Sequence, residues 1–338
     1  MKRKTGIVVL FSILALLFAV AIGSVYVSPL EILRIIGYKL FHIGLPAQIT
    51  DTAVSVIWSV RLPRVLLAFV VGGMLSVSGA VMQSVLKNPL ASSYTLGVSS
   101  GASLGAGIVI LLGVSLPAVQ MFAVPVMGFV FGLGTIFLAI GFATRLGGGL
   151  ENNTIILTGM VISLFTNALV TLMSAIARQQ VQRLILWQMG SFSLKDWSTV
   201  LILLPVYVVG ILFILHYNRE LDMLTFGEEQ AKAMGVPIKK IKWLLLVAAA
   251  ALTGSAISFV GVIGFVDLVA PHIVRKSFGS SHRYVIPLSA MFGGTFMVIC
   301  DLVARTVIPK QDLPVGAVTA LIGAPFFAYI YFSKRKKA

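Results

Sequence analysis

The chain has 338 residues, of which 58% are hydrophobic and only 11% are charged, and its mean hydropathy is +1.01. Soluble domains carry about 25% charged residues, so this composition excludes an ordinary soluble protein and indicates one transmembrane domain over residues 1–338. The net charge of +15 fits basic cytoplasmic loops and does not require nucleic acid, and the single cysteine, Cys300, excludes an internal disulfide and a cysteine-based metal site.

Ten apolar runs follow one another along the chain, and each predicts a membrane-spanning helix because about 20 apolar residues cross a bilayer. The predicted spans cover residues 6–27, 62–86, 96–113, 118–142, 153–176, 199–217, 243–262, 264–276, 285–307 and 315–333. The eighth is too short to cross unaided, so we expect a broken helix enclosed by protein, since lipid cannot satisfy free backbone groups. The predicted fold class is therefore an all-α polytopic bundle.

The first apolar run follows the basic residues 2–4 and contains Ala-Val-Ala at 19–21, which resembles a signal-peptidase site. The run continues to Val27 and reaches about 22 residues, a bilayer-spanning length. This length favours an uncleaved first span over a cleaved signal peptide.

The distribution of basic residues sets the orientation. With the N-terminus inside, 17 of the 26 Lys and Arg residues fall on the inner side and nine on the outer side, as the positive-inside rule requires. Both termini and the loop 218–242 are therefore predicted to be cytoplasmic. The segment 28–60 is predicted to be external, with an interfacial helix around Leu30–Phe41.

The loop 218–242 is a polar island between two long apolar runs, and nine charged residues lie between Arg219 and Lys242. Thr225 and Glu228 have the spacing of a capping box, and Glu228 and Lys232 have that of an i,i+4 ion pair. Gly235 suits the residue after a helix end. These signals predict a short helix over about 226–234.

Ionisable residues inside membrane spans are costly and mark candidate functional positions. Asp301 and Arg305 lie one helical turn apart and are predicted to pair, or Arg305 is offered to an external partner. Asp267 lies in an otherwise apolar segment, where a neutral or hydrogen-bonded carboxyl and a proton relay are both conceivable. Arg61 and Arg64 flank a proline where the chain enters the second span. Their side chains either extend to the membrane interface or present positive charges to a partner outside.

No catalytic or nucleotide-binding motif is visible in the sequence. It lacks the phosphate-binding loop G-x-x-x-x-G-K-[ST], the zinc motif H-E-x-x-H and the nucleophile motif G-x-S-x-G. The four histidines are scattered, without an i,i+4 pair, so no metal site is predicted. The chain is therefore not expected to be an enzyme or to hold a cofactor.

Several longer motifs occur in an order that resembles a known family. They are RLPRVLLAFVVGGMLSVSGAVMQSVLKNPLASSYTLGVSSGASLGA at 61–106, ILTGMVIS at 156–163, LWQMGSF at 186–192, FGEEQAKAMGV at 226–236, IGFVDLVAPHIVR at 263–275, SHRYVIPLSA at 281–290, DLVAR at 301–305 and LPVGAVTALIGAPFF at 313–327. The chain resembles the permease subunits of the iron–siderophore and cobalamin importers, which are type II ABC import permeases.

The resemblance implies a set of partners and a place in the cell. We expect ten helices in which spans 2–5 and 7–10 form an inverted repeat, and a second permease subunit, identical or related, across a central path. Two ATPase subunits, which would carry ATP and Mg²⁺, are expected on the cytoplasmic side, and a substrate-binding protein outside. The expected location is the bacterial cytoplasmic membrane.

The resemblance also assigns roles to residues. Two short helices are implied in the loop 218–242, which would couple to the ATPase. Together with the local helix signals, the coupling residues predicted are Thr225, Gly227, Glu228, Glu229, Ala231, Lys232 and Gly235. The arginines predicted to meet acidic groups of the binding protein are Arg61, Arg64 and Arg305. Asp267 stands where the family commonly has a small residue, so the packing of the eighth span is expected to differ locally.

The predicted cargo is an iron–siderophore complex, with cobalamin or haem as alternatives. A different reading is an ion-coupled secondary transporter in which Asp267 and Asp301 carry the coupling ion. ATP dependence of uptake separates these two classes of transporter.

Overall fold

The computed structural model describes residues 2–23, 27–46, 49–114, 122–146, 150–309 and 311–333, and these ranges contain helices and no strand. Parts of two predicted spans, 24–26 and 118–121, lie outside the described residues. So do five of the basic residues used to orient the chain, Lys310, Lys334, Arg335, Lys336 and Lys337.

Within the described ranges the chain forms fourteen α-helices, joined mostly by short connections. In chain order they are α1 Lys2–Ala21, α2 Pro29–Phe41, α3 Asp51–Val85, α4 Val98–Leu112, α5 Ala123–Leu146, α6 Asn152–Ile176, α7 Val181–Gln188, α8 Trp197–His216, α9 Asn218–Phe226, α10 Glu228–Ala233, α11 Ile238–Val260, α12 Val266–Phe278, α13 His282–Thr306 and α14 Val315–Ser333. Helix α3 includes a π-helical stretch at Val56–Arg61, and a 3₁₀ turn at Arg178–Gln180 precedes α7.

Ten of these helices lie at the ten predicted span positions, and α2 lies where the interfacial helix was predicted. Among the described residues, seven helices are long and apolar enough to cross a membrane: α1, α3, α5, α6, α8, α11 and α13. Helices α4 and α14 are apolar but shorter, and α12 has 13 residues. The all-α bundle is therefore confirmed, and the number of ten crossings stays a prediction.

Helix α3 occupies the centre of the bundle. In its most apolar window 89% of the residues are buried, against 67% for α11 and for α13 and 28% for α6. Its neighbours include α13, α11 and α12. The single cysteine, Cys300, is buried in α13.

Small residues allow α3 and α13 to approach each other closely. A methyl group added at Gly72 would collide with the backbone oxygen of Gly293, and one added at Gly293 would collide with Ser76. The same holds where α4 meets α5, because a methyl group at Gly105 would overlap the backbone of Met127. Glycine and serine thus serve close helix packing at these crossings.

The packing also has the symmetry of the predicted inverted repeat. Helix α3 packs on α13 as α11 packs on α5, and α4 packs on α5 as α12 packs on α13. Both short helices, α4 and α12, follow a left-handed residue, Gly97 (φ 90°) and Phe265 (φ 70°). Each repeat therefore contains one long central helix, an interruption and a shortened helix.

The two interruptions meet inside the bundle. The Tyr94 hydroxyl donates a hydrogen bond to the backbone oxygen of Ile263, which joins the segment before α4 to the segment before α12. Protein thus covers the irregular backbone, as membrane depth requires. The eighth predicted span is confirmed as a short helix enclosed by protein, since Val266, Asp267 and Val269 are buried.

Replacing Gly72 with Ala is expected to destabilise the protein by about 1–3 kcal/mol, because the added methyl group has no space against α13. Thermal unfolding in detergent measures the change. Gly141→Ala is the matched control, since nothing lies within 4 Å of a methyl group at that position. Equal unfolding temperatures for the two variants would contradict the close crossing of α3 and α13.

Candidate functional site

The loop 218–242 contains two short helices, as the resemblance implies. Helix α9 continues from α8 after Tyr217 and ends at Phe226, and Gly227 then adopts φ 136° and ψ 149° before α10 begins. This backbone conformation is open to glycine because glycine has no Cβ. The position of Gly227 therefore sets the change of direction between α9 and α10.

The end of α10 also agrees with its predicted signal. Gly235 has φ 85°, its N–H donates to the Lys232 oxygen, and the Val236 N–H donates to the Ala231 oxygen. This pair of hydrogen bonds is a Schellman motif, in which the residue after the helix end satisfies otherwise free carbonyl groups. The C-terminal role of Gly235 is confirmed.

Two local predictions about this loop are wrong. Thr225 does not cap α10, because α9 extends through Phe226; its hydroxyl instead donates to the Asp222 oxygen at 2.6 Å. Glu228 does not pair with Lys232, because its carboxylate lies 2.8 Å from the ammonium group of Lys242 on α11. Tertiary contacts have replaced the interactions that the local spacing suggested.

A groove of about 990 Å³ lies on the predicted cytoplasmic side, between α10, the start of α11 and the start of α6. Its lining carries both signs of charge, including Lys87, Glu151, Glu229, Lys232 and Lys240. Two large apolar side chains stand exposed on the same loop, Phe226 (70%) and Met234 (51%). Ala231 is fully buried in the core and so supports α10 from within instead of facing a partner.

Helix α9 is fixed to the bundle by a hydrogen-bonded network that the sequence did not reveal. Asp222 accepts from the backbone N–H of His282 at 2.7 Å and lies 2.6 Å from its Nδ1. The Nε2 of His282 lies 2.6 Å from the Ser84 hydroxyl, which also accepts from Arg275 at 3.0 Å. The network therefore links α9 to α13, α3 and α12.

The order of groups in this network resembles a catalytic triad, but the burial of these groups indicates a structural role. Ser84 and His282 are buried, and the Ser84 hydroxyl also bonds the backbone oxygen of Ala80. An ionised Asp222 can only accept, so the Nδ1 of His282 carries a proton and donates it in a hydrogen bond to Asp222. The members lie 60 to 198 residues apart in sequence, and no local motif signals their contact.

The three arginines predicted to face a binding protein lie inside the predicted outer end of the bundle. Arg61 is 4% exposed and donates to the backbone oxygens of Val20 and Ala21, both at 3.1 Å. Arg305 donates to the backbone oxygen of Ala19. These contacts hold the end of α1 against α3 and α13, so neither guanidinium is freely presented at the rim.

Arg64 is the centre of an ion-pair cluster. It lies 2.9 Å from Asp301 and 2.7 Å from Asp312, whereas the predicted pair of Arg305 with Asp301 has a longer separation of 3.6 Å. Partial burial raises the pKa of Asp312, but hydrogen bonds from Ser193 and Arg64 outweigh it, so its pKa falls below the ordinary value. A cavity of about 860 Å³ opens beside these arginines.

Asp267 is buried at 3% exposure near the start of α12. Its backbone oxygen accepts from the Gln83 amide at 3.1 Å and contacts α3 at Gly79, where an added methyl group would collide with it. Among the described residues its Oδ2 has no hydrogen-bond partner. The close packing of α12 thus uses the Asp267 backbone, and a transport role for the carboxyl stays a prediction.

Comparison with known proteins places this architecture. The family model described as the FecCD transport family matches residues 10–333. The chain belongs to the FecCD transport family. It is a multi-pass permease of a type II ABC importer, and ATP hydrolysis is carried out by a separate ATPase subunit.

Several relatives are similar in sequence to this permease over most of their lengths. An ABC transporter permease protein of Bacillus subtilis is 38% identical over 337 residues, covering 99% of this chain and 95% of the relative. The hemin transport system permease protein HmuU of Yersinia pestis is 37% identical over 294 residues, covering 85% and 86%. Other relatives are named for cobalamin, Fe(3+) dicitrate and molybdate.

A solved structure is also similar to this permease. It is titled as an inward-facing conformation of a transporter of the metal-chelate type of ABC transporters, and it superposes with a TM-score of 0.86 at 29% identity. The match covers 98% of this chain and 100% of the solved chain.

Replacing Arg64 with Met is expected to cost the permease about 3–5 kcal/mol of stability, because it leaves the buried Asp301 carboxylate poorly compensated. Thermal unfolding in detergent measures the loss. Adding Asp301→Asn removes the uncompensated charge, so the double variant should unfold at a higher temperature than Arg64→Met alone. A double variant that is less stable than the single one would show that the cluster does not depend on this pair.

Proposed function

We propose that this permease imports an iron–siderophore complex, driven by ATP hydrolysis on two ATPase subunits that carry ATP and Mg²⁺. Support for an iron chelate comes from relatives named for hemin and Fe(3+) dicitrate and from a structural neighbour of the metal-chelate type. The cargo would cross the bacterial cytoplasmic membrane along a path shared with a second permease subunit, identical or related. Both termini of the chain would be cytoplasmic.

The groove on the predicted cytoplasmic side supports the proposed coupling of the permease to an ATPase. An ATPase would dock on the exposed side chains of the loop, with Phe226 and Met234 as apolar contacts and Glu229 and Lys232 as charged contacts at the groove. Exposed apolar side chains on a polar loop mark an interaction surface. Gly227 and Gly235 would supply the backbone turns at the two ends of α10, and Thr225, Glu228 and Ala231 would support the loop.

Docking of an external binding protein is also part of the proposal. Arg61, Arg64 and Arg305 line the outer cavity together with Asp312. Because their guanidinium groups already bond within the chain, they would act mainly by shaping this cavity and its positive potential. Acidic groups of a binding protein would meet that potential, which steers association most strongly at low salt.

Cobalamin and haem are the alternative cargoes, favoured by the relatives named for them. Proteoliposomes that contain the permease, its ATPase and its binding protein would distinguish the cargoes. We expect ATP-dependent uptake of a ferric siderophore, with less uptake of cobalamin or haem. Uptake driven by a proton gradient without ATP would instead support an ion-coupled carrier that uses Asp267 and Asp301.

Replacing both Phe226 and Met234 by Asp in one variant is expected to weaken ATPase binding at least tenfold, because the change places two charges in an apolar contact. Co-purification of the ATPase with the permease measures the effect. Lys276→Glu is a control on the predicted cytoplasmic side, since Lys276 is exposed and lies outside the groove. Full co-purification with the double variant would exclude this loop as the docking surface.

A further inference from the structure

Lys242 is an unusual residue for a helix core, because its side chain is completely buried. A lysine ammonium group has three hydrogen-bond donors. Three acceptors surround it: the backbone oxygen of Leu150, the Asn152 Oδ1 at 2.6 Å and the Glu228 Oε1 at 2.8 Å. Every donor of the buried charge is therefore satisfied.

The three acceptors belong to two separate parts of the permease. Glu228 is the first residue of α10, whereas Leu150 and Asn152 lie at the start of α6. Lys242 itself is in the first turns of α11. One ammonium group thus connects the short helix at the groove with one membrane-spanning helix from each repeat.

Helix α6, like α8 (22%), is much less buried than the helices that hold α9. Only 28% of its most apolar window is buried, against 89% for α3 and 67% for α13. A helix with few buried contacts moves at a low cost in packing energy. Through Lys242, α10 is joined to this weakly embedded helix.

Helix α9 is instead joined to helices that are well buried in the bundle. Asp222 bonds His282, which in turn bonds Ser84, so α9 is attached to the buried helices α13 and α3. Gly227 lies between the two short helices and has no side chain to restrict rotation of its backbone. Motion of α10 against α9 would therefore be concentrated at this glycine.

We infer that Lys242 is a positioning residue that transmits displacement of α10 to the start of α6, while α9 stays fixed to the core. The inference rests on the proposed coupling of this loop to an ATPase. The Lys242 ammonium group is buried and fully bonded, whereas the Glu228 carboxylate is 38% exposed. Breaking the pair would leave the buried charge with one acceptor fewer, which is costly, so α10 and α6 move together. Removing the ammonium group would leave the ATPase bound but disconnected from α6.

The experiment compares Lys242→Met, Glu228→Ala and the double variant in proteoliposomes with the ATPase and the binding protein. We expect each single variant to keep the ATPase in co-purification and to import cargo at least tenfold more slowly per ATP hydrolysed. The double variant should lose no more than the worse single variant, because both remove the same connection. Lys276→Met is the matched control, because Lys276 is an exposed lysine outside the groove. It should import the normal amount of cargo per ATP hydrolysed.

A milder variant keeps the test valid if Lys242→Met fails to fold. Asn152→Ala removes the side-chain acceptor on α6 and leaves the pair of Lys242 with Glu228 intact, so it should also lower import per ATP. A normal import-to-ATP ratio in Asn152→Ala and in Glu228→Ala would overturn the inference. So would additive losses in the double variant accompanied by loss of the ATPase, which indicate a role in folding alone.

The outcome for the unmodified permease separates this inference from the proposed function. If the unmodified permease shows no ATP-driven import with its ATPase, the coupling itself is refuted and the inference falls with it. If the unmodified permease couples normally and the variants do as well, only the role of Lys242 is refuted.

Discussion

Backbone N–H and C=O groups inside a bilayer must find partners within the protein, and the interruptions before α4 and α12 depend on this constraint. The two interruptions bond each other through Tyr94 and Ile263, and the central helices α3 and α13 pack around them. Such packing needs glycine at Gly72 and Gly293, where the two helices leave no space for a side chain. The small residues of the central crossing therefore support the irregular segments that a lipid-exposed helix could not contain.

Charged and polar side chains at the two ends of the bundle also find their partners within the protein. At the predicted outer end, Arg64 bonds two carboxylates, and Arg61 and Arg305 bond backbone oxygens of α1. At the predicted cytoplasmic end, Lys242 and His282 hold the two short helices of the loop. Buried charged and polar side chains thus fix the termini of helices whose middles are held by apolar packing.

The sequence predicts the positions of the spans closely, because long apolar runs and bilayer thickness together leave little freedom. It also predicts the role of Gly235, since a helix end after a short polar helix has a local signal. The capping role of Thr225 fails because α9 continues through that residue, which local spacing does not show. The partners of Lys242, Asp222 and Arg61 could not be predicted, because each lies on a distant helix whose facing depends on the whole bundle.

Cys300 has a practical meaning beyond packing. It is the single cysteine of the chain and is buried in α13, so a thiol reagent in water meets no exposed cysteine on this permease. A cysteine introduced on α10 would therefore carry a spectroscopic label at one defined position. Distances from such a label could follow the loop through a transport cycle without first removing native thiols.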